Sequence, residues 1–308
     1  PMILFDNSSL PPGWVWDEDL KQAAVVNNLI AVAFCLIINY VNATMVYTFL
    51  KHEMFKATPR YILFIHLVIN DIILMTLLTL LHLLSYIVFT LNLSLCIVVV
   101  LLATAANYNS PMTLAVMSLE CYIAVCYPLR HSQICTVKKT YIVIACIWLI
   151  NALDLFPDVF ISLATEPLEF FHSRVWCAKD RALRHSYTIA KDKIFDAVVM
   201  ALVWLTLIYT YLRILFTAKS AAADARKARN TVLLHSFQLL LSMLTYVYYV
   251  ILYPLQSMFP SSQRGIRFAL TVIINIMPRI ISPLVYGLRD KTFRKYLKQH
   301  VLCAKAIQ

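Results

Sequence analysis

Met117-Ser118-Leu119-Glu120-Cys121-Tyr122-Ile123-Ala124-Val125-Cys126-Tyr127-Pro128-Leu129-Arg130 is the stretch on which the fold turns. No Asp, Glu, Lys or Arg occurs from Ile72 to Leu119, so Glu120 ends a long uncharged run. Pro128 then leads into a basic segment with Arg130, Lys138 and Lys139. An apolar helix that closes on an acid, an aromatic residue and then basic loop residues matches a membrane span reaching the cytosol, where Lys and Arg collect. A single crossing needs roughly 20 apolar residues. The run from Ile72 to Leu119 therefore holds parts of two spans with a turn between them. Asn92 and Ser94 mark that turn near 90–94, which gives a second span over about 60–88 and a third over about 95–126.

Composition agrees with a membrane chain. Of 308 residues, 61% are hydrophobic and 14% charged, against about half and about a quarter in an ordinary soluble domain. Only 3 Gly are present, and none forms a glycine-rich phosphate loop. The net charge of +11 lies in segments between apolar runs and not on an amphipathic face, which argues against nucleic acid as a partner. The 8 Cys are too dispersed for a disulfide framework. No His-x-x-x-His or Cys-x-x-Cys pair points to a metal. No Ser/His/Asp set is visible either, so no enzyme and no cofactor are expected.

The remaining spans follow from the same pattern. Residues 1–21 form a polar tail in which Asn7-Ser8-Ser9 fits a glycosylation sequon. The tail shows no basic n-region or cleavage pattern, so the first span, 22–50, is expected to act as its own insertion signal. A fourth span covers about 140–163, with Trp148 near its middle. Residues 164–190 make the longest connection. A fifth span covers about 191–217, a sixth about 230–257, and a seventh runs to about Leu288. The tail 289–308 is basic and amphipathic, as expected of a segment lying on an anionic lipid surface. Segments 51–60, 130–139, 219–229 and 289–305 carry most of the loop Lys and Arg. That bias puts them in the cytosol and the N-terminus outside. Asn7 is then accessible to glycosylation, and Cys96 and Cys177 lie on the oxidising side, where a disulfide persists. The expected architecture is all-α, a seven-transmembrane helix bundle over 22–288.

With those spans in place, several motifs resemble the rhodopsin-like G-protein-coupled receptors, and within them the odorant receptors, particularly the fish type. Met117 to Arg130 is similar to their third-span end. Thr58-Pro59-Arg60-Tyr61 resembles the first cytosolic loop. Lys227-Ala228, Thr231 and His235 match the spacing of the sixth-span entry. Ser282-Pro283-Leu284-Val285-Tyr286 with Leu288-Arg289-Asp290-Lys291 resembles the seventh-span exit. The resemblance covers about residues 22–300. It implies a disulfide between Cys96 and Cys177, the one cysteine of the second extracellular loop. It also implies a ligand pocket lined by Ala103, Thr104, Asn107 and Tyr108 of the third span, with Tyr246, Tyr249 and Tyr253 from the sixth and Asn275 from the seventh.

An acid inside a span is costly and normally faces the bundle interior. The resemblance makes Asp71 part of an inner polar site with Asn42 and Ser282, of a kind that often holds sodium. Arg279 lies one helical turn before Pro283, and a lone buried charge would cost several kcal/mol. Arg279 is therefore expected to pair with Asp71 and fill that site. For activation the resemblance points to Glu120, Cys121, Tyr122, His235, Pro283 and Tyr286. Two departures matter. Cys121 stands where the family carries arginine, and cysteine cannot replace a planar fork with five donors. Ser282 stands where asparagine is usual.

The functional expectation is a receptor that binds a small-molecule odorant in the outer half of the bundle and signals to a heterotrimeric G protein, by resemblance the olfactory stimulatory type. The expected setting is the plasma membrane of olfactory sensory neurons, with membrane lipid around the bundle. The third span has no acid of the kind that holds an amine, which disfavours an aminergic ligand. Asp192, Lys193 and Asp196 offer charge to a water-soluble, amino-acid-like one. The rival readings are a receptor for a non-odour ligand and a multi-span transporter. A transporter would show internal repeats or a path of intramembrane charges.

Overall fold

The computed structural model describes residues 18–87, 90–175, 177, 179–183 and 185–219. Beyond these it describes short stretches from 237 onward that include 269–277, Arg279 and 293–296. The helices are α1 (Glu18–Lys51), α2 (Glu53–Lys56), α3 (Pro59–Ile87), α4 (Leu93–Cys126), α5 (Pro128–Ile134), α6 (Val137–Thr165), α7 (Leu168–His172), α8 (Lys179–Ala182) and α9 (Ser186–Lys219). Thr271–Ile276 form a π-helical turn. Two short strands, β1 (Leu91–Asn92) and β2 (Arg174–Val175), pair antiparallel with Leu91 opposite Val175.

Among the described residues, five stretches are long and apolar enough to cross a membrane: Asn28–Lys51, Pro59–Leu81, Leu93–Cys126, Val137–Thr165 and Ser186–Thr217. They coincide with the first five expected spans. Apart from short pieces, the expected sixth and seventh spans lie outside the described residues, as do Asn7, His235, Tyr246, Tyr249, Tyr253, Ser282, Pro283 and Tyr286.

Helix ends differ from the sequence expectation for local reasons. The first helix starts at Glu18 and takes up the end of the expected tail. The turn before α4 ends at Asn92, whose side chain accepts from the Ser94 amide at 3.0 Å and so caps the helix. Pro128 opens α5, where its missing N–H costs nothing. Thr136 caps α6 by accepting from the Lys139 amide. The connection expected over 164–190 is shorter, because α9 begins at Ser186. Lys191, Asp192 and Asp196 lie within this helix, where they meet Asp154 of α6, Lys179 of α8 and Tyr108 of α4.

Helix α4 is the axis of the described bundle, in contact with α3, α6 and α9. Its buried face carries Ala103, Ala105, Ala106, Ser110 and Ala115, whose small side chains allow close helix approach. The outward faces keep Leu36, Leu153, Phe160 and Leu205 exposed, as suits lipid contact. Near the Lys51 end of α1, a cluster around Met45, Phe55, Leu63, Phe64, Leu67, Leu114 and Met117 also buries Phe293. Phe293 lies 5.2 Å from Phe55 and 5.7 Å from Phe64 between ring centroids. Phe293 thus sits against the bundle, and full burial of one such ring is worth roughly 1.5–3 kcal/mol.

Candidate functional site

At one end of α4, Cys96 and Cys177 form a disulfide with a Cα–Cα distance of 5.4 Å. Both cysteines sit in a buried cluster with Leu81, Leu93, Ile97, Val100 and Leu183. The β1–β2 pair, a bond from the Leu93 amide to the Ser173 carbonyl and one from Ser94 Oγ to the Phe171 carbonyl hold the connection over this end. Just inside, Tyr108 Oη donates to Asp196 Oδ1 at 2.6 Å and joins α4 to α9. Phe195 packs edge-on against the Tyr108 ring.

The expected pocket residues separate at this point. Tyr108 is buried and bound to Asp196. Thr104 is half-buried. Ala103 packs against Leu74 and Ala106 and belongs to the α3–α4 contact. Asn107 turns inward, accepting from Arg279 Nη2 at 3.2 Å. Asn275 lies in the π-helical turn, and its side chain is outside the described set.

At mid-depth Arg279 Nη1 donates to Asp71 Oδ1 at 2.5 Å and to Ser110 Oγ at 2.7 Å. Asp71 is 1% and Arg279 9% exposed, so each is the counter-charge that makes the other's burial tolerable. Asn42 is also buried, and among the described residues its Nδ2 has no hydrogen-bond partner. A guanidinium already supplies the positive charge at Asp71. These residues do not fit a sodium ion. Ser110 and Asn107, which complete the group, carry no charge and stood out in the sequence only by position.

A second polar seam joins α3, α4 and α6. Trp148 Nε1 donates to His66 Nε2 at 3.0 Å, which leaves the proton on Nδ1 to reach Thr113 Oγ1, also at 3.0 Å. Asn109 donates to Asn70, and Asn151 donates to Asn109. Isolated Asn and His in apolar spans were the only available signal for this seam. Periodicity alone does not say which helices share them.

The other end of α4 carries the altered tripeptide. Cys121 is 8% exposed and packs with Tyr122 and Ile214. Glu120 is held by His131 of α5, whose Nε2 donates to Oε1 at 2.9 Å. Tyr122 lies edge-on to Tyr127 and Tyr209, and the Arg213 side chain of α9 lies near both hydroxyls. The donor to Glu120 therefore comes from the loop helix, because α4 carries Cys121 beside it. Between α5 and α6, burial and then the Glu120 charge push the Cys135 thiol pKa up, which keeps it protonated. His131 and Arg213 were not singled out in the sequence. Only packing brings them to Glu120 and Tyr122.

These features define a multi-pass helical membrane protein with a disulfide-tied connection over one end and a few polar contacts at the other. The family model of the 7 transmembrane receptor (rhodopsin family) matches residues 41–286. Odorant receptor 131-2 of Danio rerio is 32% identical, covering 96% of this chain and 91% of that protein. Olfactory receptor 11H7 of Homo sapiens is 27% identical over 63% of this chain and 62% of its own. Olfactory receptor 4E2 of Mus musculus is 23% identical over 62% and 63%. The chain belongs to the rhodopsin family of seven-transmembrane receptors and, within it, to the odorant receptors. The five described spans are part of that family's seven-helix bundle.

Proposed function

We propose that this receptor takes a small odorant from outside into the half of the bundle beneath the Cys96–Cys177 disulfide and passes the signal to a heterotrimeric G protein at the Glu120 end. The observation that carries the reading is the Tyr108–Asp196 bond, a polar tie between two spans under the tethered connection. A site of this kind is largely apolar with a few fixed polar groups, and a ligand that competes for either partner changes how α4 and α9 pack. Differential binding to two packings is sufficient to shift their populations. The G protein is of the olfactory stimulatory type, the signal is cyclic AMP, and the cell is an olfactory sensory neuron. Residues 1–21 are extracellular with Asn7 glycosylated, and 289–308 lie along the cytosolic lipid surface.

The test is a cyclic AMP assay in cells that display the full chain, against neutral volatiles, amines and amino acids. Responses to at least one class that fall in Tyr108→Phe support the reading. Silence towards every class, in a chain at the surface and in its Cys121→Arg variant, would overturn it.

A further inference from the structure

The fourth and fifth spans bring together charges that neither needs for crossing a membrane. α6 contributes Asp154 and Asp158, one helical turn apart, with side chains 3% and 0% exposed. α9 contributes Lys191, Asp192 and Asp196, and α8 contributes Lys179. Intramembrane charges that face a bundle interior mark ligand or ion sites more often than structural ones.

Donor counting shows what the cluster lacks. An ammonium group has three N–H donors. Those of Lys191 go to the Asp154 main-chain carbonyl, to Asp158 Oδ2 at 2.7 Å and to Asp154 Oδ1 at 3.0 Å. Lys179 is placed on Asp192 Oδ2 at 2.7 Å. Tyr108 is placed on Asp196 Oδ1. Among the described residues, three buried carboxylate oxygens, Asp154 Oδ2, Asp158 Oδ1 and Asp192 Oδ1, then have no hydrogen-bond partner, and the nearest ammonium to Asp192 Oδ1 is Lys191 at 3.9 Å. Leaving such groups unpaired in a buried site is costly. Charge is unbalanced as well, since four carboxylates face two lysine ammonium groups among these described side chains. Water satisfies lone pairs but leaves that imbalance in place. Among the described residues no three acidic, His or Cys groups are arranged to hold a metal ion.

We infer that this cluster is the docking point for the ammonium group of a small water-soluble amine, held between α6 and α9 and read by Asp158, Asp154 and Asp192. The inference rests on the receptor reading above and names its ligand class. It replaces the expectation drawn from the third span: the amine-binding acids are supplied by α6 and α9. An added ammonium brings donors to the unpartnered oxygens of Asp154 and Asp158, one helical turn apart on α6. The ligand's carbon chain then extends toward Tyr108 and Phe195.

The experiment uses the purified full-length receptor in lipid nanodiscs, with n-pentylamine, pentan-1-ol and pentanoate as probes of equal chain length. Saturating pentylamine is expected to raise the melting temperature by roughly 4–8 °C, and the alcohol and carboxylate are not. In Asp158→Asn and Asp154→Asn the pentylamine shift should fall by more than half. The readout is the ligand-induced shift, so a lower starting stability in either variant does not obscure it. The proposal is overturned if pentylamine gives no shift, or if its shift survives in both variants. The two readings fail separately. A chain that signals to neutral volatiles but gives no amine shift remains a receptor without this site. An amine shift with no G-protein response to any ligand keeps the site and removes the receptor reading.

Discussion

The two ends of α4 are fastened in different ways. At the Cys96 end a disulfide, a strand pair and a buried cluster tie the connection down, and ion pairs lock α8 and α9 to each other and α9 to α6. At the Cys121 end one hydrogen bond from a partly exposed histidine holds Glu120, and Tyr122 rests on edge-on contacts with Tyr127 and Tyr209. Between them the Arg279–Asp71 pair fixes the seventh span to α3 through buried charge. The contrast shows where motion is inexpensive. The outer end is braced to hold a site in shape. The inner end is joined by contacts worth little individually, as a surface that must open requires.

The largest expected effect comes from removing the brace. Replacing Cys96 and Cys177 together by serine should cost about 2–5 kcal/mol, seen as a fall in melting temperature and in surface display. An unchanged melting temperature would erase the contrast between the ends. Next, Arg279→Met strands Asp71 in the core and should cost about 3–5 kcal/mol, whereas Arg279→Met combined with Asp71→Asn recovers much of it in a double-mutant cycle. Because Arg279 supplies the cation at Asp71, exchanging sodium for choline should leave the melting temperature of the unaltered chain where it was. Sodium-dependent stabilisation would contradict that arrangement.

Cys121→Arg acts at the loose end. A guanidinium on α4 can take Glu120 from His131 with charge-assisted bonds worth about 1.5–3 kcal/mol. Basal cyclic AMP should fall and ligand-driven cyclic AMP should rise. Equal signalling by both forms would mean that the missing arginine does not limit coupling. The smallest effect is expected from His131→Ala. The pair is partly exposed, with side chains 29% and 10% accessible, so its loss is worth roughly 0.2–1 kcal/mol. Basal signalling should rise by at most about fivefold.

Much of the fold was legible because membrane spans announce themselves. The uncharged run from Ile72 to Leu119 had to be divided, and Asn92 divided it, since a side-chain cap is a local event. Pairing of Asp71 with Arg279 was also accessible, because two buried charges of opposite sign have few alternatives. Asn107 shares a helical face with Thr104 and Tyr108, and its bond to Arg279 is a contact that spacing does not show. Ala103 packs in the α3–α4 contact, because a small residue on an interior face serves close packing as readily as a pocket. His131, Arg213, Asp154 and Asp158 went unread because nothing in their own neighbourhoods identifies their partners.

The sequence by itself determined the membrane class, the spans and the family, since hydropathy, loop charge and short motifs are local along the chain. The tertiary structure alone decided which polar groups meet: Lys191 with Asp154 and Asp158, His131 with Glu120, and Trp148 with His66. A charge in a low-dielectric interior must find a partner, and which one it finds depends on how the helices are turned toward one another. That rotation is set by packing across helices, and no single segment encodes it.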